Sequence, residues 1–172
     1  MTVRLFVFPT DGGGTEEKIF EALYRTTGEA KILHRDENGK PFVTDGSVFV
    51  SVSHTDELTF AAVAEKNIGL DAEKLSRTAD PRLTRWFSIK EKAAAGLTDT
   101  GRLKMWVRKE AYGKFTGRGL AELPRDTFAL PGRFFYFCHA GHILALYSEE
   151  RVNRVIVFEN DHIKCINAQQ SI

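Results

Sequence analysis

The chain has 172 residues, of which 42% are hydrophobic and 27% charged, with a formal net charge of +1 at neutral pH. That length and composition suit one ordinary globular domain able to bury roughly 70% of its unfolded surface, and they exclude a disordered chain. The near-neutral charge argues against a globally basic nucleic-acid binder, and no stretch approaches the roughly 20 apolar residues that a membrane helix requires.

Val3 to Phe8 is β-rich and stopped by Pro9, too short an apolar run for a signal peptide. The glycine run of Asp11-Gly12-Gly13-Gly14-Thr15 lacks the Gly-Lys-Ser/Thr ending of a phosphate loop and reads as a connector. Thr15 is the predicted N-cap of a helix with an Ile19, Phe20, Leu23, Tyr24 stripe, ended by Gly28. A short strand over Lys31–His34 leads into the turn Asp36-Glu37-Asn38-Gly39, and Lys40-Pro41 leaves it extended, because the residue before proline is pushed out of the helical region. Val48 to Ser53, ending in His54, and Leu58 to Ala64 are the next two predicted strands.

Ile68-Gly69-Leu70-Asp71-Ala72-Glu73-Lys74 puts two carboxylates where an apolar strand would otherwise continue. Side chains two apart share a face of a strand, so Asp71 and Glu73 point one way while Leu70 and Ala72 point into the body. Asp80-Pro81 starts a predicted helix through Trp86-Phe87, and Ser88-Ile89-Lys90-Glu91 is a capping box for a further helix ended by Gly96. Arg102 to Thr116 is the main predicted helix; within it Glu110 stands above Lys114 at i,i+4 spacing, and Gly117 lies past its end. Strands are predicted over Thr127–Leu130, Arg133–His139, His142–Ser148 and Arg154–Phe158, and the last dozen residues as frayed chain.

Three carboxylates and a lysine that face one another suit a divalent cation and a phosphate group. Each motif alone has a plainer reading: a solvated strand edge for Asp-x-Glu, and a surface pair worth about 0.2–0.5 kcal/mol for Glu110 and Lys114. His139 and His142 lie three apart across a turn with no third metal ligand in view, and Trp86, Phe87, Trp106, Phe134, Phe135 and Phe137 are expected in the core, although one exposed aromatic could dock a partner. From Arg82 to Arg118 the only acids are Glu91, Asp99 and Glu110, so a local positive field there favours an anionic ligand or partner. Arg102, Lys104, Arg108 and Arg118 are then either a solvated helix face or a surface for an acidic protein. Cys138 and Cys165 have no CxxC spacing and read as free thiols of a cytoplasmic protein.

Gly39-Lys40-Pro41, Val52-Ser53-His54, the Ile68–Lys74 stretch, Trp86-Phe87-Ser88-Ile89-Lys90-Glu91 and Trp106-Val107-Arg108-Lys109-Glu110-Ala111-Tyr112-Gly113-Lys114 form an ordered set. In this order they resemble the 4′-phosphopantetheinyl transferases, in particular the single-chain, surfactin-synthetase type with a shortened N-terminal half. The resemblance implies an α+β fold of two similar halves related by a pseudo-twofold, here 1–66 and 67–172. It implies Mg²⁺-dependent transfer of 4′-phosphopantetheine from coenzyme A to a serine of an apo acyl or peptidyl carrier protein, releasing adenosine 3′,5′-bisphosphate. Asp71, Glu73 and Glu110 would hold Mg²⁺, with Mn²⁺ an alternative, and Glu110 would help deprotonate the serine. Lys114 would neutralise the leaving phosphate, while Lys40, Ser53, His54, Lys109 and Lys114 would contact coenzyme A. The family's longer helical N-terminal region with basic residues for the 3′-phosphate is reduced here to Lys18, Arg25, Lys31 and Arg35. The expected partners are a carrier protein and coenzyme A, with neither nucleic acid nor membrane, and a monomer or homodimer is expected. Two rival readings are a catalytically weak carrier-binding module and a nucleic-acid binder using the Arg82–Arg118 region.

Overall fold

The structure, a computed structural model, describes residues 1–167. β1 (Thr2–Pro9) is followed by α1 (Thr15–Thr27), the short strands β2 (Leu33–Arg35) and β3 (Pro41–Val43), and then β4 (Phe49–His54), β5 (Leu58–Ala64) and β6 (Gly69–Lys74). A 3₁₀ segment of about two turns over Pro81–Trp86 leads to α2 (Ile89–Ala95) and α3 (Asp99–Thr116). The chain ends in β7 (Arg133–His139), β8 (His142–Ser148), β9 (Arg154–Glu159) and β10 (His162–Asn167).

These elements stack as helix, sheet, sheet, helix. One sheet has the order β10-β9-β1-β5-β4 and the other β6-β8-β7; every pair is antiparallel except β1 with β9, and β2 and β3 form a separate hairpin. Alternation decides the layers, since successive residues of a strand face opposite sides. Val3, Leu5, Val7, Phe60, Ala62 and Ala64 of the first sheet meet Leu70, Ala72, Phe135, Phe137, Leu144 and Leu146 of the second in one buried core. The alternate residues Phe6, Ala61 and Val63 face out and are covered by Ile19, Ala22 and Leu23 of α1. Tyr136, Ile143, Ala145 and Tyr147 are covered in the same way by Leu103, Val107 and Ala111 of α3, which recur every four residues. A sheet covered on both faces explains why β5 and β8 are buried along almost their whole length rather than at alternate positions.

The two sheets also meet edge to edge, through side chains. Ser51 and Ser53, on one face of β4, accept the backbone N–H groups of Leu70 (2.9 Å) and Ala72 (3.1 Å) of β6. Serine hydroxyls thereby stand in for the ladder that an unpaired strand edge would otherwise leave open. Gly69 sets how α3 crosses this seam: a Cβ there would sit 1.9 Å from the Ala111 carbonyl oxygen, so only glycine permits the approach. Gly113, on another face of α3, likewise permits a close approach, since a Cβ there would come within 2.7 Å of the Gly119 carbonyl oxygen.

Four local expectations change. The N-cap of α1 is Gly14, whose N–H donates to Glu17, rather than Thr15. Pro81–Trp86 winds as 3₁₀, with Asp80 accepting from the Arg82 N–H, instead of as α-helix. Thr127–Ala129 is a 3₁₀ turn rather than a strand, because Asp126 caps the Phe128 N–H and Thr127 is held by Glu91. Residues 162–167 are not frayed but form β10 on β9; the remainder of the expected frayed tail lies outside the described residues. The capping box of Ser88 and Glu91, the left-handed Gly28 and Gly117 at the ends of α1 and α3, and the Ala140-Gly141 turn are as the sequence predicts.

Candidate active site

The close crossing of α3 over β6 brings the predicted acids and lysine together. Asp71 is 2% exposed; its Oδ1 accepts from Lys114 Nζ (2.7 Å) and from the Ser53 hydroxyl (2.9 Å), and Lys114 also donates to Ser53 Oγ (2.9 Å). Asp71 Oδ2 is buried with no hydrogen-bond partner, a costly condition for a carboxylate oxygen. Glu73, on the same face of β6, is clamped by Arg77 at 2.6 Å through both carboxylate oxygens. Its pKa is raised by burial, against the opposing bond from Arg77.

Glu110 reaches the same place from the helix. Burial first, and then the charge of Asp71, push its carboxyl up to about 8; Lys114 opposes this, Glu73 adds to it, and Arg77 opposes it again. Asp71, Glu73 and Glu110 therefore feel one another's charge, which like-charge crowding in a partly dry cleft requires. Among the described residues, no three His, Cys, Asp or Glu side chains converge closely enough to form a metal cage by themselves. Lys114 stands on Asp71 and Arg77 on Glu73, occupying the oxygens that would otherwise close on a cation. The donor set nonetheless fits a hard cation: it is all carboxylate oxygen and includes the orphaned Oδ2 of Asp71.

Beside this cluster lies a cavity of about 190 Å³ between the Lys40 turn, β4 and the end of α3, lined in part by Arg35, Lys40, Ser51 and Lys114. That is below the roughly 300–1,000 Å³ of sites that enclose a whole small molecule, so it suits one end of a larger ligand. Lys40 lines it but is tied down: its ammonium donates to the Phe115 carbonyl (2.5 Å) and Asn67 Oδ1 (2.8 Å), capping the C-terminal end of α3. Burial lowers its pKa to about 8, against the charge of Asp36. His54 is exposed, with Nδ1 against Thr59 Oγ1 (3.2 Å). Its pKa is lowered by burial first and then by Lys114, Lys18 and Arg35, which marks a positive neighbourhood.

Two expected coenzyme A contacts are otherwise engaged. Ser53, 2% exposed, spends its hydroxyl on Asp71, Lys114 and the Ala72 N–H, so it organises the cluster instead of presenting itself to a ligand. Lys109 is not brought to the cleft at all: it is fully buried, paired with Glu91 (2.9 Å) and donating to the Pro124 carbonyl (2.7 Å). Neighbouring residues of a helix diverge by about 100°, so if Glu110 faces β6, Lys109 must face α2. Its expected ligand role gives way to a structural one. The sequence reading missed the Ser51 and Ser53 seam and the Arg77 clamp. The seam's only signal is the Ser-x-Ser alternation in β4, and the clamp's is the four-residue spacing from Glu73 to Arg77.

A family model described as the 4′-phosphopantetheinyl transferase superfamily matches residues 67–155, just over half of the chain and the whole span that carries Asp71, Glu73, Glu110 and Lys114. The chain belongs to the 4′-phosphopantetheinyl transferase superfamily. It is also 28% identical over 102 residues to a protein of Aneurinibacillus migulanus named 4′-phosphopantetheinyl transferase. That match covers 56% of this chain and 42% of the relative, so the chain spans less than half the relative's length. Like the transferase family it joins, the chain is of mixed α+β architecture.

The basic residues weighed as an acidic-protein surface are mostly committed within this transferase-family domain. Arg102 pairs with Asp99 and donates to the Leu97 carbonyl, and Arg118 pairs with Glu122. Arg108 is wedged among Thr127, Tyr136, Phe128 and Phe134, and Lys104 lies over the Tyr136 ring. His139 faces Glu159, and His142 bridges Thr55 and the Ala140 carbonyl, so both histidines of the turn have protein partners. Cys138 and Cys165 are free and exposed, and no helix among the described residues is long and apolar enough to cross a membrane.

Proposed function

We propose that this chain transfers the 4′-phosphopantetheine group of coenzyme A to a serine of an apo acyl or peptidyl carrier protein, releasing adenosine 3′,5′-bisphosphate. The observation that carries this reading is the Lys114–Asp71–Ser53 cluster, with Glu73 and Glu110 beside it, at the mouth of a cavity lined by Arg35, Lys40 and Lys114. In the transfer, the serine oxygen bonds to the β-phosphorus as the phosphorus–oxygen bond to the nucleotide breaks, and charge grows on the departing phosphate. Such chemistry asks a protein for positioning and charge neutralisation more than for covalent work.

Asp71, Glu73 and Glu110 are the residues that would hold Mg²⁺, or Mn²⁺ in its place, which when bound supplies Lewis-acid charge neutralisation at the pyrophosphate. Lys114, already poised between two strands and the cleft, neutralises the leaving phosphate. Glu110 is the chain's own group for taking the serine proton. Arg35 and His54, at the cleft's positive end, are suited to the nucleotide phosphates that the short N-terminal part must hold. Two free thiols suit a protein working in a reducing compartment such as the cytoplasm.

We also infer that 1–66 and 67–172 are two similar halves. β1, α1, β4 and β5 run strand, helix, hairpin, as do β6, α3, β7 and β8, and in each set the hairpin's second strand lies between its own first strand and the opening strand. What departs from a clean division is the C-terminal hairpin β9-β10, which crosses back to β1.

The deciding experiment is incubation with an apo carrier protein, coenzyme A and Mg²⁺, followed by intact mass. Addition of a phosphopantetheine group is expected, and Asp71→Ala and Glu110→Ala should fold normally yet lose at least 100-fold in rate, on the order expected when charge-stabilising groups are removed from an active site. Carrier mass unchanged by the parent chain would sink the reading.

A further inference from the structure

Asp71 and Glu73 each carry a positive side chain, but the two pairs are not alike. Lys114 stands on the helix α3, with its side chain 30% exposed, and is held at two points, Asp71 Oδ1 and Ser53 Oγ. Arg77 projects instead from the exposed 76–78 loop after β6, and its side chain is 56% exposed against 13% for Glu73. The loop is fixed at both ends, by the Leu75 N–H on the Gly141 carbonyl (2.9 Å) and by the buried Ala79. The Arg77 side chain can therefore re-aim without moving the strand.

The contact with Glu73 has the geometry of a cation seat. One guanidinium nitrogen, Nη1, lies 2.6 Å from both carboxylate oxygens, in place of the two-nitrogen fork in which arginine often meets a carboxylate. A metal ion held by Glu73 would contest that same position, with its oxygen ligands near 2.1 Å. A guanidinium and a divalent ion cannot share one carboxylate at such range, because like charges a few ångströms apart in a partly dry cleft repel strongly. The ion reaches Glu73 only when Arg77 leaves. An ion pair whose cation is this exposed is weak, so leaving costs little. Asp56, on the exposed β4–β5 turn, already acts on Arg77 by its charge, as Glu110 does, and supplies the departing guanidinium with a second acid. Lys114, with two partners, is the cation that stays.

We propose that Arg77 is an internal competitor for the divalent cation: it neutralises Glu73 until the ion displaces it, and so sets the cation concentration at which the cleft fills. The proposal rests on the transferase reading above, through the metal ligands which that reading assigns. Manganese(II) alone is the probe, with its bound fraction read by electron paramagnetic resonance on the full chain at low salt. The proteins compared are the parent, Arg77→Gln, Arg77→Lys and the double variant Arg77→Gln, Asp71→Ala, and melting curves in EDTA check that each is folded. We expect Arg77→Gln to bind the ion about fivefold more tightly than the parent or better. Arg77→Lys, which keeps the charge, should stay closer to the parent than to Arg77→Gln, and the double variant should lose the gain. Without cation Arg77→Gln should also melt below the parent, since Glu73 is left uncompensated, and saturating manganese should close that gap. Binding by Arg77→Gln with none by the parent would support the competitor in its strongest form. Equal or weaker affinity in Arg77→Gln, or a gain that survives loss of Asp71, would overturn it, as would an absence of binding by both. The carrier-mass experiment decides the transferase reading separately: tighter binding in Arg77→Gln without transfer by the parent would overturn that reading and leave the competitor standing.

Discussion

The Ser53 hydroxyl donates once and accepts twice, to Asp71, from Lys114 and from the Ala72 N–H, so removing it acts on the seam and on the cluster together. Ser51 accepts the Leu70 N–H and, among the described residues, has no bond to the carboxylate cluster. Each buried N–H left without its acceptor costs about 1–3 kcal/mol. Ser51→Ala should therefore lower stability by about that amount in chemical denaturation while leaving the transfer rate nearly unchanged. Ser53→Ala should be destabilised comparably and should also lose rate, because Lys114 and Asp71 then keep only each other. Equal rates for the two variants would place Ser53 outside the working site. The same residue shows the limit of reading by motif: Val52-Ser53-His54 marks the site from the sequence, yet which of its atoms remain free depends on β6 and α3 lying alongside.

At the scale of elements, the buried pair of Lys109 and Glu91 ties α3 to α2 and to the 123–130 segment. The Glu91 carboxylate is held by the Ser88 N–H, the Thr127 N–H and hydroxyl, and Lys109. Burial raises its pKa, but the bonds from Thr127, Ser88 and Lys109 together outweigh it, and the net value lies below the ordinary 4.5. A carboxylate depressed on folding stabilises fully above its unfolded pKa and loses that contribution as pH falls through the folded value. The melting temperature should accordingly drop below about pH 4.5, and more steeply than in Glu91→Gln, Lys109→Met, where both charges are absent. Glu91→Gln alone strands a buried ammonium and should cost about 3–5 kcal/mol at pH 7, more than the double substitution. Differential scanning calorimetry over pH 3–7 measures both effects. The capping box that positions Glu91 was legible as Ser-x-x-Glu in the sequence; its second use, as partner to a lysine eighteen residues on, was not, because it needs two helices and a loop to meet.

For the molecule as a whole, the layered stack leaves the carboxylates at the junction of two sheets and a helix, where a bound ligand would bridge parts that otherwise touch only through side chains. A ligand that binds only the folded state stabilises by about 2.7 kcal/mol when present at roughly 100-fold its Kd. That is on the order of 5–10 °C in melting temperature for a chain of this length. Coenzyme A with Mg²⁺ should give a shift of that size, and coenzyme A with EDTA a clearly smaller one. Identical shifts would remove the cation from the pyrophosphate.

The sequence by itself determined the local grammar. It set where strands alternate and helices are capped and stopped, and it put Asp71 with Glu73, and Glu110 with Lys114, on shared faces, because those relations follow from backbone periods of about 2 and 3.6 residues. Only the tertiary structure decided which of these faces meet. Gly69 lets α3 close onto β6, Lys114 turns from Glu110 to Asp71, Lys109 is drawn into a buried pair, and Trp86 is left outside. Contacts between distant parts of a chain depend on how whole faces pack, and no local pattern encodes that distance.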